Sequence, residues 1–389
     1  MARFLIAPGS FKGTLSSAEA GRTMQEALRE VLPDSQARCL AMADGGEGTL
    51  EALLAMTGGE MVEAQVAGPA GTPVRAPYAV LADGTAVIEM SAACGTRLAP
   101  EGLSPSKATT YGVGELMLDA VRRGCGKVVL GLGGSATTDG GCGALEACGV
   151  RFLDKYVEPF SPTGSTLGQL VSIDASGVDP ALRAAELQVL CAVRNPLCGP
   201  MGTSATFAAG KGALPAVVAA LDANLAHYAS VLERDLGRDV LDLRCGGAGG
   251  GTAAGLSALF GVEPQLGIDW LLDRCGFDER LANVDYVLTG EGAFDAQSLH
   301  GKVVSGIARR CKQAGVPLVA VVGSMDEMLA DAGHALGVST FAVLNAGNVP
   351  LSQITKHPRS QLARTVMHVG SLIAQGGQLP RVVGPLPPR

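Results

Sequence analysis

Apolar residues along this chain fall into short runs separated by stretches of helical spacing. Residues 3–7 (RFLIA) have the length and character of a buried strand. Ser16 and Glu19 then form the pattern of a capping box. Ala20, Met24, Ala27, Leu28 and Val31 follow on one helical face, and Pro33 closes the helix. A second strand at 36–42 leads through "ADGGEGT" to an apolar helix around Leu50, Leu53 and Leu54, stopped by Gly58 and Gly59. Strand, helix, strand, helix is the opening of a parallel sheet.

The pattern then changes. Between Met61 and Met90 the residues alternate, and "DG" at Asp83 and Gly84 divides two runs, which predicts antiparallel hairpins. A helix at 111–123, a strand at 127–132, a strand at 187–193 and a long helix from Pro215 to about Leu236 follow. From residue 284 the alternation of strand and helix resumes, with strands at 284–288, 317–322 and 338–344. Helices at 303–314 and 326–336 separate them, and a last helix is expected at 361–374. The tail "LPRVVGPLPPR" is proline-rich and expected to be extended. The architecture predicted is an α/β parallel-sheet domain formed by both chain ends, residues 1–60 and 283–389. A mixed α+β domain is inserted at 61–282. A cleft between two such domains is the expected place for a small substrate.

Composition narrows the partners. Net charge is −7 with no basic run, and aromatics are only 4%, which argues against nucleic acid and against an anionic membrane surface. The chain opens on a strand-like run, no segment is long enough to span a bilayer, and most of the ten cysteines sit in apolar stretches without a C-x-x-C pair. A reduced, cytoplasmic protein is expected, with cysteines as small core residues. The 54 glycines show no G-X-Y period and cluster after short apolar runs, where backbone must approach a ligand or a neighbour.

Three such clusters share one design. "ADGGEGT" (43–49), "GGSATTDGG" (133–141) and "TGEGAFDAQS" (289–298) each follow a strand-like run and carry glycines with one or two carboxylates. Loops of this kind bind phosphate through backbone amides, while their acids hold Mg²⁺ or accept a proton. Three of the eight lysines, Lys12, Lys211 and Lys302, stand beside glycine in loops, as point charges on phosphate would. His300, next to Lys302, is a candidate base or substrate donor. "GGAGGGT" (246–252) precedes a helix and suits either an anion or close packing. Neither a P-loop nor a dinucleotide fingerprint occurs.

Taken in order, "IAPGSFKGTLSSAEA", "ADGGEGT", "ATTYGVGEL", "GLGGSATTDGG", "NPLCGPMG", "TGEGAFDAQSLHGKV" and "AGVPLVAVVG" resemble the bacterial glycerate kinases of the 2-kinase type, from about residue 3 to 345. The resemblance implies ATP-dependent, Mg²⁺-assisted phosphorylation of D-glycerate to 2-phosphoglycerate. It also implies a flavodoxin-like domain interrupted by a restriction-enzyme-like one. On the same ground Asp44, Glu47, Asp139, Glu291 and Asp295 are expected around the reacting groups, with Asp139 and Asp295 at the metal. Ser10, Lys12, Gly134, Ser135, Lys211 and Lys302 are expected on phosphates, and Asn195 and His300 on the substrate. The chain departs from the family pattern where relatives read A-P-D-S-[FY]-K and C-D-V-x-N-P-L. It has Gly9 and Ala192 in place of those acids, and Ala293 where an arginine is usual. Those losses set a second expectation, a weakened paralogue that acts on another hydroxy acid or binds nucleotide without turnover.

Overall fold

The Glu19 amide donates to the Ser16 hydroxyl at 3.2 Å, and the Ser16 amide donates to the Glu19 carboxylate at 3.1 Å. Helix Ser17–Val31 therefore starts where its cap is written. The computed structural model describes residues 1–345, 356–376 and 378–384. Of the predicted apolar face, Ala20, Met24, Ala27 and Leu28 are buried and Val31 is half-buried.

Two compact units divide the chain, Met1–Asp44 with Ile268–Arg389, and Gly45–Gly267. The first holds a six-stranded sheet in the order Gln36–Cys39, Arg3–Ile6, Tyr286–Phe294, Leu318–Met325, Thr340–Val343, Val382–Val383, with every pairing parallel. Leu318, Val319, Ala320, Val321 and Val322 are all buried, as expected of a strand covered on both faces. Helices Ser17–Val31 and Pro358–Ala374 contribute Met24, Leu28, Leu362 and Val366 to the core that covers Phe4, Ile6 and Leu288.

The second unit holds a mixed sheet in the order Gln265–Leu266, Glu186–Cys191, Lys127–Gly131, Thr85–Glu89, Pro73–Leu81, Gly59–Ala67. Its first four strands are parallel, and the last two add the antiparallel pairings that the alternation predicts. The turn at Asp83 uses Gly84 at φ +80°, with the Thr85 amide on the Asp83 carboxylate at 3.0 Å.

Three local readings change. Helix Thr49–Thr57, grouped by sequence with the first domain, has its opening amides held by Glu89 of the second unit. The strand read at 284–288 runs on to Phe294 because Glu291 and Ala293 continue the pairing, opposite Val322 and Ser324. "TGEGAF" is thus strand rather than loop. Gly290 is required by contact, since a Cβ there would lie 2.4 Å from the Val321 carbonyl oxygen. Finally, Val382 and Val383 of the tail add a sixth strand beside Phe341 and Ala342, while residues 385–389 lie outside the described part.

Candidate functional site

Strand Arg3–Ile6 pairs with Gln36–Cys39 on one side and with Tyr286–Phe294 on the other, and the later strands continue outward from there. Chain progression therefore reverses at this strand. In open α/β sheets, ligands bind beyond the strand carboxyl ends at such a reversal. The loop that leaves Ile6 stays tied to its neighbour: the Ala7 amide donates to the Leu288 carbonyl at 2.7 Å, and the Gly9 amide to the Gly290 carbonyl at 2.8 Å. A Cβ on Gly9 would lie 2.9 Å from Cγ2 of Val303. Phe11 and Leu15 then bridge across a tight turn, leaving Ser10 half-buried and Lys12 exposed.

Glu291 emerges at the same reversal. It is 7% exposed, and its Oε1 is buried without a hydrogen-bond partner. Burial pushes its carboxyl up to about 7. Lys302 and the Ser298 hydroxyl oppose the shift, while Asp44 and Asp295 add to it. Asp295 caps the turn Ala296–His300 by accepting from the Ser298 amide at 3.1 Å, and pairs with Lys302 at 3.4 Å. Lys302 is itself the N-cap residue of helix Val303–Ala314, its side chain only 15% exposed. Asp44 is half-buried, and His300 lies exposed at the end of the turn. The first unit thus brings together Asp44, Glu291, Asp295 and Lys302, with His300 apart from their contacts.

In the second unit the glycine loops pack backbone on backbone. A Cβ on Gly131 would lie 2.3 Å from the Gly45 carbonyl oxygen, and one on Gly133 would lie 2.4 Å from the Gly46 Cα. Gly134, at φ +75°, turns the chain so that Ser135 accepts from Lys211 Nζ at 3.0 Å. Lys211 also donates to the Thr137 carbonyl at 2.7 Å. Burial pulls its ammonium down to about 8, against the pull of Cys94 and Asp139. Glu47 pairs with Arg97 at 3.2 Å. Asn195 holds its own loop, donating to the Met201 carbonyl at 2.7 Å.

Asp139 is fully buried. Its carboxylate accepts from the Thr110 amide and hydroxyl, both at 2.8 Å, from the Gly141 amide at 3.0 Å and from the Gly143 amide at 3.4 Å. Burial still pushes its carboxyl up despite these donors. In this geometry Asp139 organises the start of helix Cys142–Ala147 and turns neither oxygen to solvent. The "GGAGGGT" cluster likewise serves packing, because a Cβ on Gly250 would lie 2.1 Å from the Thr137 carbonyl oxygen.

Glu89 escapes the sequence reading. It ends a strand buried throughout and accepts from the amides of Gly48 and Leu50, each at 3.0 Å, so it fixes the loop that carries Glu47. Burial pushes its carboxyl up to about 7, with those amides opposing. A carboxylate closing the run "TAVIE" is the signal that would have found it.

The model of the glycerate kinase family matches residues 4–374. A relative from Bacillus subtilis (strain 168) named glycerate kinase is 39% identical over 373 residues, covering 95% of this chain and 97% of that relative. One from Escherichia coli (strain K12) named glycerate 2-kinase is 38% identical over 379 residues, covering 96% and 98%. A crystal structure from Salmonella typhimurium LT2, assigned as glycerate kinase 2, superposes with a TM-score of 0.80 at 38% identity, covering 97% of this chain and all of that one.

Proposed function

The chain belongs to the glycerate kinase family, and from that premise we propose that it transfers the γ-phosphoryl group of ATP to D-glycerate, giving 2-phosphoglycerate. The observation that carries this reading within the structure is the group at the sheet reversal, where Lys302 pairs with Asp295 and the charges of Lys302, Asp295 and Asp44 act on the buried Glu291. Phosphoryl transfer asks little covalent work of a protein and much positioning and charge neutralisation. That group offers both. Numbered along the chain, the first five strands of the first unit run 2-1-3-4-5, the flavodoxin-like order. We read this unit as flavodoxin-like and the Gly45–Gly267 unit as the restriction-enzyme-like insert.

ATP is expected as its Mg²⁺ complex. The donors at the reversal are carboxylate oxygens, as Mg²⁺ prefers, and Asp295 keeps about half of its side chain exposed. Among the described residues no three or more His, Cys, Asp or Glu form a metal-holding group. This suits an ion held by one or two carboxylates and the nucleotide's own phosphates. Asp295 is the residue we assign to it, in place of Asp139, whose oxygens are taken up by its own loop. Bound there by Asp295, Mg²⁺ would neutralise charge on the transferring phosphate. Lys302 and Lys12 supply point charges to the phosphates in the first unit, and within the second unit Lys211 with Ser135 and Gly134 is a separate group of the same kind. Asn195 and His300 are assigned to the hydroxy acid.

ADP release with D-glycerate, ATP and Mg²⁺ tests the reading, with enolase added to consume any 2-phosphoglycerate formed. We expect glycerate-dependent release with an enolase-competent product. Nucleotide binding without such release would favour the non-catalytic paralogue.

A further inference from the structure

Of the five acids singled out by sequence, four are already engaged. Asp139 takes hydrogen bonds from Thr110, Gly141 and Gly143, and Glu47 pairs with Arg97. Asp295 caps Ser298 and pairs with Lys302, and Asp44 has its own partner. Glu291 alone among these keeps a buried carboxylate oxygen with no donor. Leaving such an oxygen unpaired is costly, and a folded protein that tolerates it has a use for the free lone pair or a strain to explain. The backbone of Glu291 is regular strand, paired opposite Val322, so strain does not account for it.

Resting on the kinase reading, we propose that the Glu291 carboxylate is the proton acceptor for the substrate hydroxyl. As the hydroxyl oxygen forms its bond to the γ-phosphorus, the bond from that phosphorus to the β,γ-bridging oxygen breaks. The electron pair leaves with ADP, and the hydroxyl proton moves to the Glu291 carboxylate, from which it is later returned to water. The charged groups facing Glu291 are Lys302, Asp44 and Asp295. Lys302 beside it offsets part of the cost of burying its charge. Asp295, more exposed and lysine-paired, is the better metal ligand, so the two acids divide the work.

Glu291→Gln keeps the shape of the side chain and removes the accepting charge. In the full-length protein we expect Mg²⁺–ATP binding to be retained and kcat to fall about a hundredfold or more. Glu291→Asp, which keeps an accepting carboxylate, should retain part of the turnover, and it keeps the test informative if the Gln variant fails to fold. A Gln variant within about threefold of normal kcat, or one whose loss lies entirely in nucleotide binding, overturns the assignment while leaving the kinase reading intact. Absence of glycerate-dependent turnover in the unaltered protein overturns both.

Discussion

Lys211 shows what one residue's sequence context can and cannot tell. Its glycine neighbours mark it as unusual among eight lysines, but its partners Ser135 and Thr137 lie 76 and 74 residues away. Nothing local announces them. Its ammonium is held between neutral oxygens, and burial lowers it to about 8 from the ordinary 10.5. Between those values the unfolded chain binds the proton that the folded chain has lost, so stability should rise as pH climbs through that window. Thermal melts from pH 7 to 10.5 check this, and Lys211→Met should flatten that part of the profile. Asp139 gives the opposite lesson. The sequence marks it as a ligand for metal, and only the return of Thr110, 29 residues upstream, makes it a buried cap. Asp139→Ala would leave the buried amides of Thr110 and Gly141 without partners, at about 1–3 kcal/mol each. A loss of several degrees in Tm is expected, measured by circular dichroism.

At the scale of elements, periodicity located most helices and strands because each buries one face or both. It failed where glycine interrupts the signal. The strand Tyr286–Phe294 contains Gly290 and Gly292, which read as loop residues, yet both are strand residues, and neighbouring backbone comes close to Gly290. A Cβ on Gly323 would meet the Gly292 carbonyl oxygen at 2.3 Å, which leaves no room for a side chain between these strands. Gly9 belongs to the same neighbourhood. Restoring the family's acid there places a Cβ 2.9 Å from Val303, whose branched side chain on the first turn of its helix has little freedom to yield. Gly9→Asp is therefore expected to destabilise the protein, and Val303→Ala to recover part of that loss in the double variant. Melting the two single variants and the double variant measures the coupling. Additive effects would mean that the helix moves aside and Val303 is not the obstacle.

Across the whole molecule, the mixed α/β character with parallel strands was legible from the alternation of strand and helix, whereas the limits of the compact units were not. A cap joining Glu89 to Gly48 and Leu50 spans about forty residues and leaves no periodic trace. The same holds at the other end. Asp269, Asp273 and Asp278 pair with Arg309 and Arg310 of helix Val303–Ala314, at 2.5–2.7 Å, so residues 268–281 belong with the first unit. These contacts make the two possible cuts unequal. A fragment of residues 45–267 keeps the Thr49–Thr57 helix on its Glu89 cap and retains the entire six-stranded mixed sheet. A fragment of residues 61–282, cut where hydropathy alone would place the domain, strands Glu89 buried without those amides. It also exposes residues 268–281, whose arginine partners are gone. The first fragment should unfold cooperatively in urea, and the second should be less stable by a few kcal/mol, roughly the cost of one buried, unpaired carboxylate. Equal midpoints would show that the cap contributes little and that the boundary is set by packing elsewhere.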